Sequence, residues 1–216
     1  MAKGIILTGK QGGGQFFWTV DKDVGPASPN LVEDVQLVQL GFSALAASPN
    51  VSKQENAVFT AVLVGKVYSG GASDPLTIAI RLLLKQLGGT QDGKISSIKS
   101  GTGLYDKVPH TWAVRILSIR ISEVLGTNWP HLDRHPQCPD KLATVSKRTF
   151  GRESGTGAGF CCDPSKIDCH ADDRLKAITR SIETLMAQAV HRRTNSGAPP
   201  ARRTPFLAVL VKSSTF

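Results

Sequence analysis

The chain has 216 residues, of which 40% are hydrophobic, and a formal net charge of +9 at pH 7. This hydrophobic fraction is typical of a packed globular domain, and no apolar run approaches the ~20 residues of a membrane-spanning helix. The charge is uneven, because residues 141–216 hold 13 Lys/Arg against 6 Asp/Glu, whereas residues 1–140 hold 13 against 11. A cationic C-terminal third suits nucleic acid, an anionic glycan or an acidic partner surface.

The first part of the chain predicts a hairpin followed by a helix. Residues 5–8 and 16–20 are rich in β-branched and aromatic residues, as strands are, and glycines at 12–14 suit the loop between them. Asn30, with Glu33 three residues later, predicts a helical N-cap in the manner of a capping box. The apolar residues that follow at helical spacing are Leu31, Val35, Val38, Phe42 and Leu45.

The segments that follow alternate between apolar runs and breakers. Residues 57–67 predict a buried strand, although a helix fits the same composition. Asp74 predicts the cap of a second helix, with Pro75 in its first position and Gly88 beyond its end. Further elements are expected at about 110–125 (helix), 172–193 (helix) and 206–211 (strand).

Residues 127–171 predict a long loop, because they contain many prolines and glycines and little periodicity. A loop of this length needs something to hold it, and a structural zinc ion is one solution. The candidate ligands are His131, His135, Cys138, Cys161, Cys162, Cys169 and His170. Two alternatives stay open: free buried thiols, or disulfides that join Cys138 to Cys161 or Cys162 and the remaining one of these to Cys169.

Basic side chains in the C-terminal part form a second candidate site. They are Lys147, Arg148, Arg192, Arg193, Arg202 and Arg203. Arginine and lysine pairs around a flexible linker can neutralise phosphates or other anionic groups without reading bases. We therefore expect contacts with an anionic polymer from this part of the chain.

Two stretches resemble bacterial peptidoglycan-binding-like helical domains. Residues 24–39 read VGPASPNLVEDVQLVQ, with a Gly-Pro-Asn approach, an acidic pair and a Leu-Val-Gln helix. Residues 76–81 and the turn at 91–96 are similar to the later part of that module, where a helix leads to an Asp-Gly turn. The insert at 51–73 departs from the family pattern. The resemblance covers residues 24–98 and implies a non-catalytic module for cell-wall attachment or assembly.

Together these patterns predict an α+β fold in which terminal strands form a small sheet packed against about four helices. We expect a domain at 1–193, a basic Pro/Arg-rich linker at 194–205 and a C-terminal strand within 206–216. The leading function is a non-enzymatic binding or assembly protein of bacterial or phage type, with peptidoglycan or another anionic polymer as ligand. Alternatives are a structural subunit that forms a homo-oligomer in a particle, injection machine or filament, and a zinc-dependent hydrolase. The N-terminus predicts no signal peptide, so we expect synthesis in the cytoplasm and a final place in the envelope or an exported particle.

Overall fold

Two strands and five helices make up the part of the chain that the computed structural model describes, residues 1–8, 14–49, 51–99 and 109–151. The α+β class with a small sheet and several helices is therefore confirmed. The elements are β1 (Lys3–Thr8), β2 (Gly14–Thr19), α1 (Val32–Ala46), α2 (Lys53–Thr60), α3 (Pro75–Gln86), α4 (Pro109–Leu125) and α5 (Asp140–Phe150). Two 3₁₀ turns, Gly126–Asn128 and Leu132–Arg134, connect α4 to α5.

The hairpin is built into the core. β1 and β2 pair antiparallel, with Gly4 opposite Trp18 and Ile6 opposite Phe16. Neighbouring side chains of a strand point to opposite faces, yet Phe17 and Trp18 are both buried, so both faces of β2 are covered. The Trp18 backbone N–H donates to Ser118 Oγ of α4 at 2.9 Å, which fixes the hairpin against that helix.

Helix α1 lies at the centre of the helical layer. It meets α4 at Gly41, where an added Cβ would lie 2.5 Å from Leu117 Cβ. It meets α2 through the rings of Phe42 and Phe59, which stack with centroids 5.4 Å apart. These contacts belong to one hydrophobic cluster that extends from Ala2 to Val145.

Helix α3 begins and ends as the sequence predicts. Asp74 is its N-cap and accepts a hydrogen bond from Leu76 N at 2.9 Å, with Pro75 in the first helical position. At the other end Gly88 adopts a φ of +71°, and Gly89 N donates to Leu84 O at 2.8 Å. This is the αL end that glycine allows without a steric penalty.

The predicted strand at 57–67 is wrong, because residues 53–60 form helix α2. Ser52 caps this helix: its hydroxyl accepts from Glu55 N, and the Glu55 carboxylate accepts from Ser52 N at 3.0 Å. The rest of the apolar run is a loop held by Gln39. Its side chain accepts from Gly65 N at 2.9 Å and donates to Lys66 O at 2.8 Å.

The predicted cap at Asn30 is also wrong. Leu31 is the N-cap of α1 and makes no side-chain capping bond. Asn30 has a φ of +49°, and its amide turns back to close the preceding loop. It accepts from Gly25 N at 2.8 Å and donates to Gly25 O and Ser28 O at 2.9 and 2.8 Å. The Asn30 side-chain amide therefore makes its hydrogen bonds within the loop and does not cap the helix.

A buried carboxylate anchors the start of α1 instead. Asp34 is fully buried, and it accepts hydrogen bonds from Asp21 N at 3.1 Å and Lys22 N at 2.9 Å. Burial raises the pKa of the Asp34 carboxyl, while the two backbone donors oppose that shift. The first turn of α1 is thus tied to the chain that follows β2.

The long loop predicted at 127–171 is interrupted by α5, so that expectation is wrong for residues 140–150. Leu142 and Val145 bury one face of this helix, and this tertiary contact outweighs its polar sequence. The helix predicted at 172–193, the linker at 194–205 and the strand at 206–211 lie outside the described residues. None of the five described helices has the length and apolar character needed to cross a membrane.

Candidate functional site

The two stretches that carry the family resemblance meet in the fold. Val24 N donates to Ile95 O at 3.0 Å, and Ile95 N donates to Val24 O at 2.8 Å, so the two residues form an isolated antiparallel bridge. Both side chains are fully buried. The bridge joins the approach to α1 with the turn that follows α3.

Glycine is required beside this bridge. Gly25 has a φ of +147°, and an added Cβ would overlap Gly93 O and lie 2.8 Å from Lys94 Cα. Only glycine combines that backbone angle with such a close approach of two chain segments. We call the contact of residues 24–25 with residues 93–95 the latch.

The predicted cysteine–histidine candidates that the structure describes do not converge. His135 is buried, with 6% of its surface exposed, and its Nδ1 accepts from Gln137 N at 3.1 Å. Within the described residues Cys138 forms no disulfide, and its sulfur lies 3.7 Å from Pro139 O. His131 packs on the Phe150 ring with centroids 5.1 Å apart. In the described part of the chain no three His, Cys, Asp or Glu side chains are placed to hold a metal ion.

The other metal or disulfide candidates, Cys161, Cys162, Cys169 and His170, lie outside the described residues. A metal site or disulfide that involves them therefore stays a prediction. The same holds for the basic candidates Arg192, Arg193, Arg202 and Arg203. Lys147 and Arg148 are both exposed on α5.

The environment keeps His135 and Cys138 in their neutral forms. Burial lowers the pKa of the His135 imidazole, since a charged ring would lose its hydration. Burial, followed by the nearby Asp133 and Asp140 carboxylates, raises the pKa of the Cys138 thiol to about 12. A thiol in this state is a poor nucleophile.

We expect Cys138 to react with iodoacetamide roughly a hundredfold more slowly in the folded chain than in urea at about pH 8. The thiolate is the reacting form, and the scarcity of thiolate is only partly offset by its higher intrinsic nucleophilicity. Mass spectrometry of the Cys138 peptide would give both rates, with N-acetylcysteine as the reference thiol. Folded and unfolded rates within threefold of each other would contradict the buried, protonated thiol.

A cluster of aromatic rings joins the hairpin to Trp129, which precedes the second 3₁₀ turn, and to Phe150 at the end of α5. Phe16 lies at its centre, with ring centroids 5.6 Å from Trp18, 5.9 Å from Trp129 and 5.5 Å from Phe150. The ring pairs meet edge to face, at interplanar angles of 61° to 84°. Trp18 is fully buried, whereas the other three rings are partly exposed. The sequence reasoning missed this cluster, although Trp129 inside a supposed loop was a usable signal.

Two features hold the aromatic cluster in place. Gly4, opposite Trp18 on β1, leaves room for the Phe16 ring, because any Cβ at that position would overlap it. The Trp18 indole donates from Nε1 to Pro130 O at 2.8 Å, and this bond ties the segment that contains Trp129 and Pro130 to the hairpin. The rings are therefore held by contacts from several elements.

Comparisons of the chain with protein-family models, with curated proteins and with solved structures find no match.

Proposed function

We propose that this chain is a non-enzymatic binding protein that attaches to the bacterial cell wall, with peptidoglycan as its ligand. The observation that carries the proposal is the latch. The stretch at 24–39 and the later stretches at 76–81 and 91–96 are linked in the sequence only by their resemblance to one module, and the Val24–Ile95 bridge brings 24–39 into direct contact with 91–96. A shared buried contact is what a single module built from these two stretches requires.

The insert between the two stretches is compatible with such a module. Residues 61–74 form a loop between α2 and α3, and Gln39 holds its backbone at Gly65 and Lys66. The loop exposes apolar side chains, with 87% of Val67 and 58% of Leu63 accessible to solvent. Helix α2 of the same insert adds Phe59 to the core, and neither the loop nor α2 is part of the latch.

The chemistry of the described side chains favours binding over catalysis. Cys138 carries a protonated thiol, and His135 is neutral, buried and hydrogen-bonded to the Gln137 backbone. A nucleophile–base pair needs a reactive thiolate and a ring nitrogen free to take its proton. The Cys138 thiol is not in that condition, and His135 Nδ1, which would have to take the proton, already accepts from Gln137 N.

The proposal predicts that the intact chain sediments with purified peptidoglycan sacculi in a saturable manner. Gly25→Ala is expected to weaken sedimentation at least tenfold, because the added Cβ forces residues 24–25 away from residues 93–95. Gly71→Ala is the matched control, since its added Cβ meets nothing closer than Ser69 Oγ at 3.5 Å. Circular dichroism would establish that each variant is folded.

Two outcomes would contradict this function. The intact chain could stay in the supernatant with sacculi at both low and physiological salt. Even a weak electrostatic contact would give some sedimentation at low salt, so this result would mean that the chain does not bind sacculi. Alternatively, it could sediment as a particle far above its 23.1 kDa mass without any sacculi. The second result would favour a structural subunit of a larger assembly.

A further inference from the structure

We propose that the ligand is held by one surface outside the resemblance, where a sugar ring stacks on aromatic side chains and a carboxylate pairs with Lys147. We call this the aromatic–basic surface and define it by Phe16, Trp129, His131, Phe150 and Lys147. The inference rests on the proposed function and adds to it the place and the chemistry of binding. The latch at residues 24–25 and 93–95 lies outside this surface and affects it through β2, because Ile98 N, three residues after the latch, donates to Thr19 Oγ1 of that strand at 3.1 Å.

The surface combines apolar rings with a positive charge at its edge. Phe16, Trp129, His131 and Phe150 are all partly exposed, and their rings form a continuous chain of contacts. Lys147 lies three residues before Phe150 on α5 and is therefore its neighbour on the same helical face. The Lys147 side chain is exposed.

The surface is preorganised. Trp18 lies beneath the exposed rings and is fully buried, with its backbone N–H bound to Ser118 and its indole N–H bound to Pro130. Phe150 packs on both Trp18 and Phe16, so the end of α5 is fixed to the hairpin. A ligand that lands here does not have to order the side chains that receive it, and preorganisation of this kind favours affinity.

A carboxylated glycan matches this arrangement. The faces of aromatic rings carry partial negative charge, and they attract the slightly positive C–H groups on the flat side of a sugar. Peptidoglycan offers such sugars with carboxylates on its lactyl-linked peptides, so that each repeat brings few charges. One exposed lysine beside the rings, with Arg148 on the adjoining helical face, suits a ligand of this low charge density.

Single-stranded nucleic acid fits less well. Its binding sites use a row of aromatic faces for successive bases and several cations for successive phosphates. Here the rings meet edge to face in one cluster, so they do not present a row of parallel faces to successive bases. Helix α5 also carries Asp140 besides Lys141, Lys147 and Arg148, which leaves a modest positive excess. An oligonucleotide therefore serves as the competing ligand in the test.

The test uses the full chain and three soluble probes: muropeptides released from sacculi by a muramidase, neutral chitotetraose, and oligothymidylate. Trp129→Ala is expected to weaken muropeptide and chitotetraose binding at least tenfold, as truncation of an aromatic anchor does. Lys147→Gln is expected to weaken muropeptide binding only about threefold to fivefold, because an exposed charge pair contributes little. Chitotetraose binding should stay unchanged, because this neutral sugar has no carboxylate to pair with Lys147. Lys53→Gln on α2 is the matched control and should bind like the unmodified chain.

The outcomes separate this inference from the proposed function. The surface is overturned and the function stands if the unmodified chain binds sacculi but the substitutions have no effect. In that case Lys147→Gln, Trp129→Phe and Trp129→Ala would all bind the three probes as the unmodified chain does. If chitotetraose binding depends on Trp129 but sacculi are not bound, the function is overturned and the sugar-stacking surface stands. Tighter binding of oligothymidylate than of muropeptides, lost in Lys147→Gln, would overturn the glycan assignment. Lys147 is exposed, so its variant tests the surface even if Trp129→Ala does not fold.

Discussion

Replacement of Trp18 by alanine is expected to lower the free energy of unfolding by about 3–5 kcal/mol, the usual cost of truncating a fully buried tryptophan. None of the Trp18 surface is exposed, and its ring contacts Phe16 and Phe150. The substitution also removes the indole donor, which leaves Pro130 O without the 2.8 Å hydrogen bond. A loss of this size is a large part of the 5–15 kcal/mol that stabilises a typical protein.

Two further variants identify the source of the effect. Trp18→Phe keeps most of the apolar volume and loses the indole N–H, so its cost should be about 1–3 kcal/mol. Val67→Ala removes an apolar side chain that is 87% exposed and should change stability by less than about 0.5 kcal/mol. Urea unfolding followed by far-UV circular dichroism measures all three without relying on tryptophan fluorescence. A Trp18→Ala cost below about 1 kcal/mol would mean that the rings are not packed as described.

The elements that the sequence predicts correctly are those whose signals act within one or two turns. Asp74 and Pro75 start α3 because the carboxylate caps the first turn and proline needs no donor there. Gly88 ends the same helix through a backbone angle that depends on one residue alone. The strands at 3–8 and 14–19 are similarly predictable from their β-branched and aromatic residues.

The elements that the sequence misassigns are decided by contacts from elsewhere. The apolar run at 57–67 is ambiguous by periodicity, and the Ser52–Glu55 capping box makes its first part helical. Asn30 has the composition of a cap, yet the backbone of Gly25 captures its amide. Helix α5 has too few apolar residues to be recognised, and it exists because Leu142 and Val145 are buried against the core.

The candidate site likewise has one part that the sequence predicts and one part that it does not. The latch brings together stretches that the sequence had already connected by resemblance, so its position is partly predictable. The aromatic–basic surface is not, because its support joins Trp18 to Pro130 across 112 residues of chain, and no local pattern encodes that contact. The ligand role of His135 stays a prediction, since the structure describes it as a buried side chain and its candidate partners Cys161, Cys162, Cys169 and His170 lie outside the described residues.

Gly41 offers the second large effect, because it sets the distance between α1 and α4. An added Cβ would lie 2.5 Å from Leu117 Cβ and 3.3 Å from Leu117 Cα, so a side chain fits only if the helices separate. Gly41→Leu is expected to cost about 3 kcal/mol or more, at the upper end of overpacking in a well-packed core. The cost should appear although leucine favours a helix over glycine by roughly 0.5–1 kcal/mol.

The comparison with Val32→Leu isolates the packing contribution. Val32 is on the same helix and 47% exposed, so one added methylene there should change stability by less than about 0.5 kcal/mol. A double variant, Gly41→Leu with Leu117→Gly, should recover part of the loss, because it removes the Leu117 Cβ that would lie 2.5 Å from the added Cβ. If Gly41→Leu were instead as stable as the unmodified chain in urea unfolding, α1 and α4 could not approach as closely as the structure places them. Partial recovery in the double variant would show that the contact at Gly41 and Leu117 governs how the two helices pack.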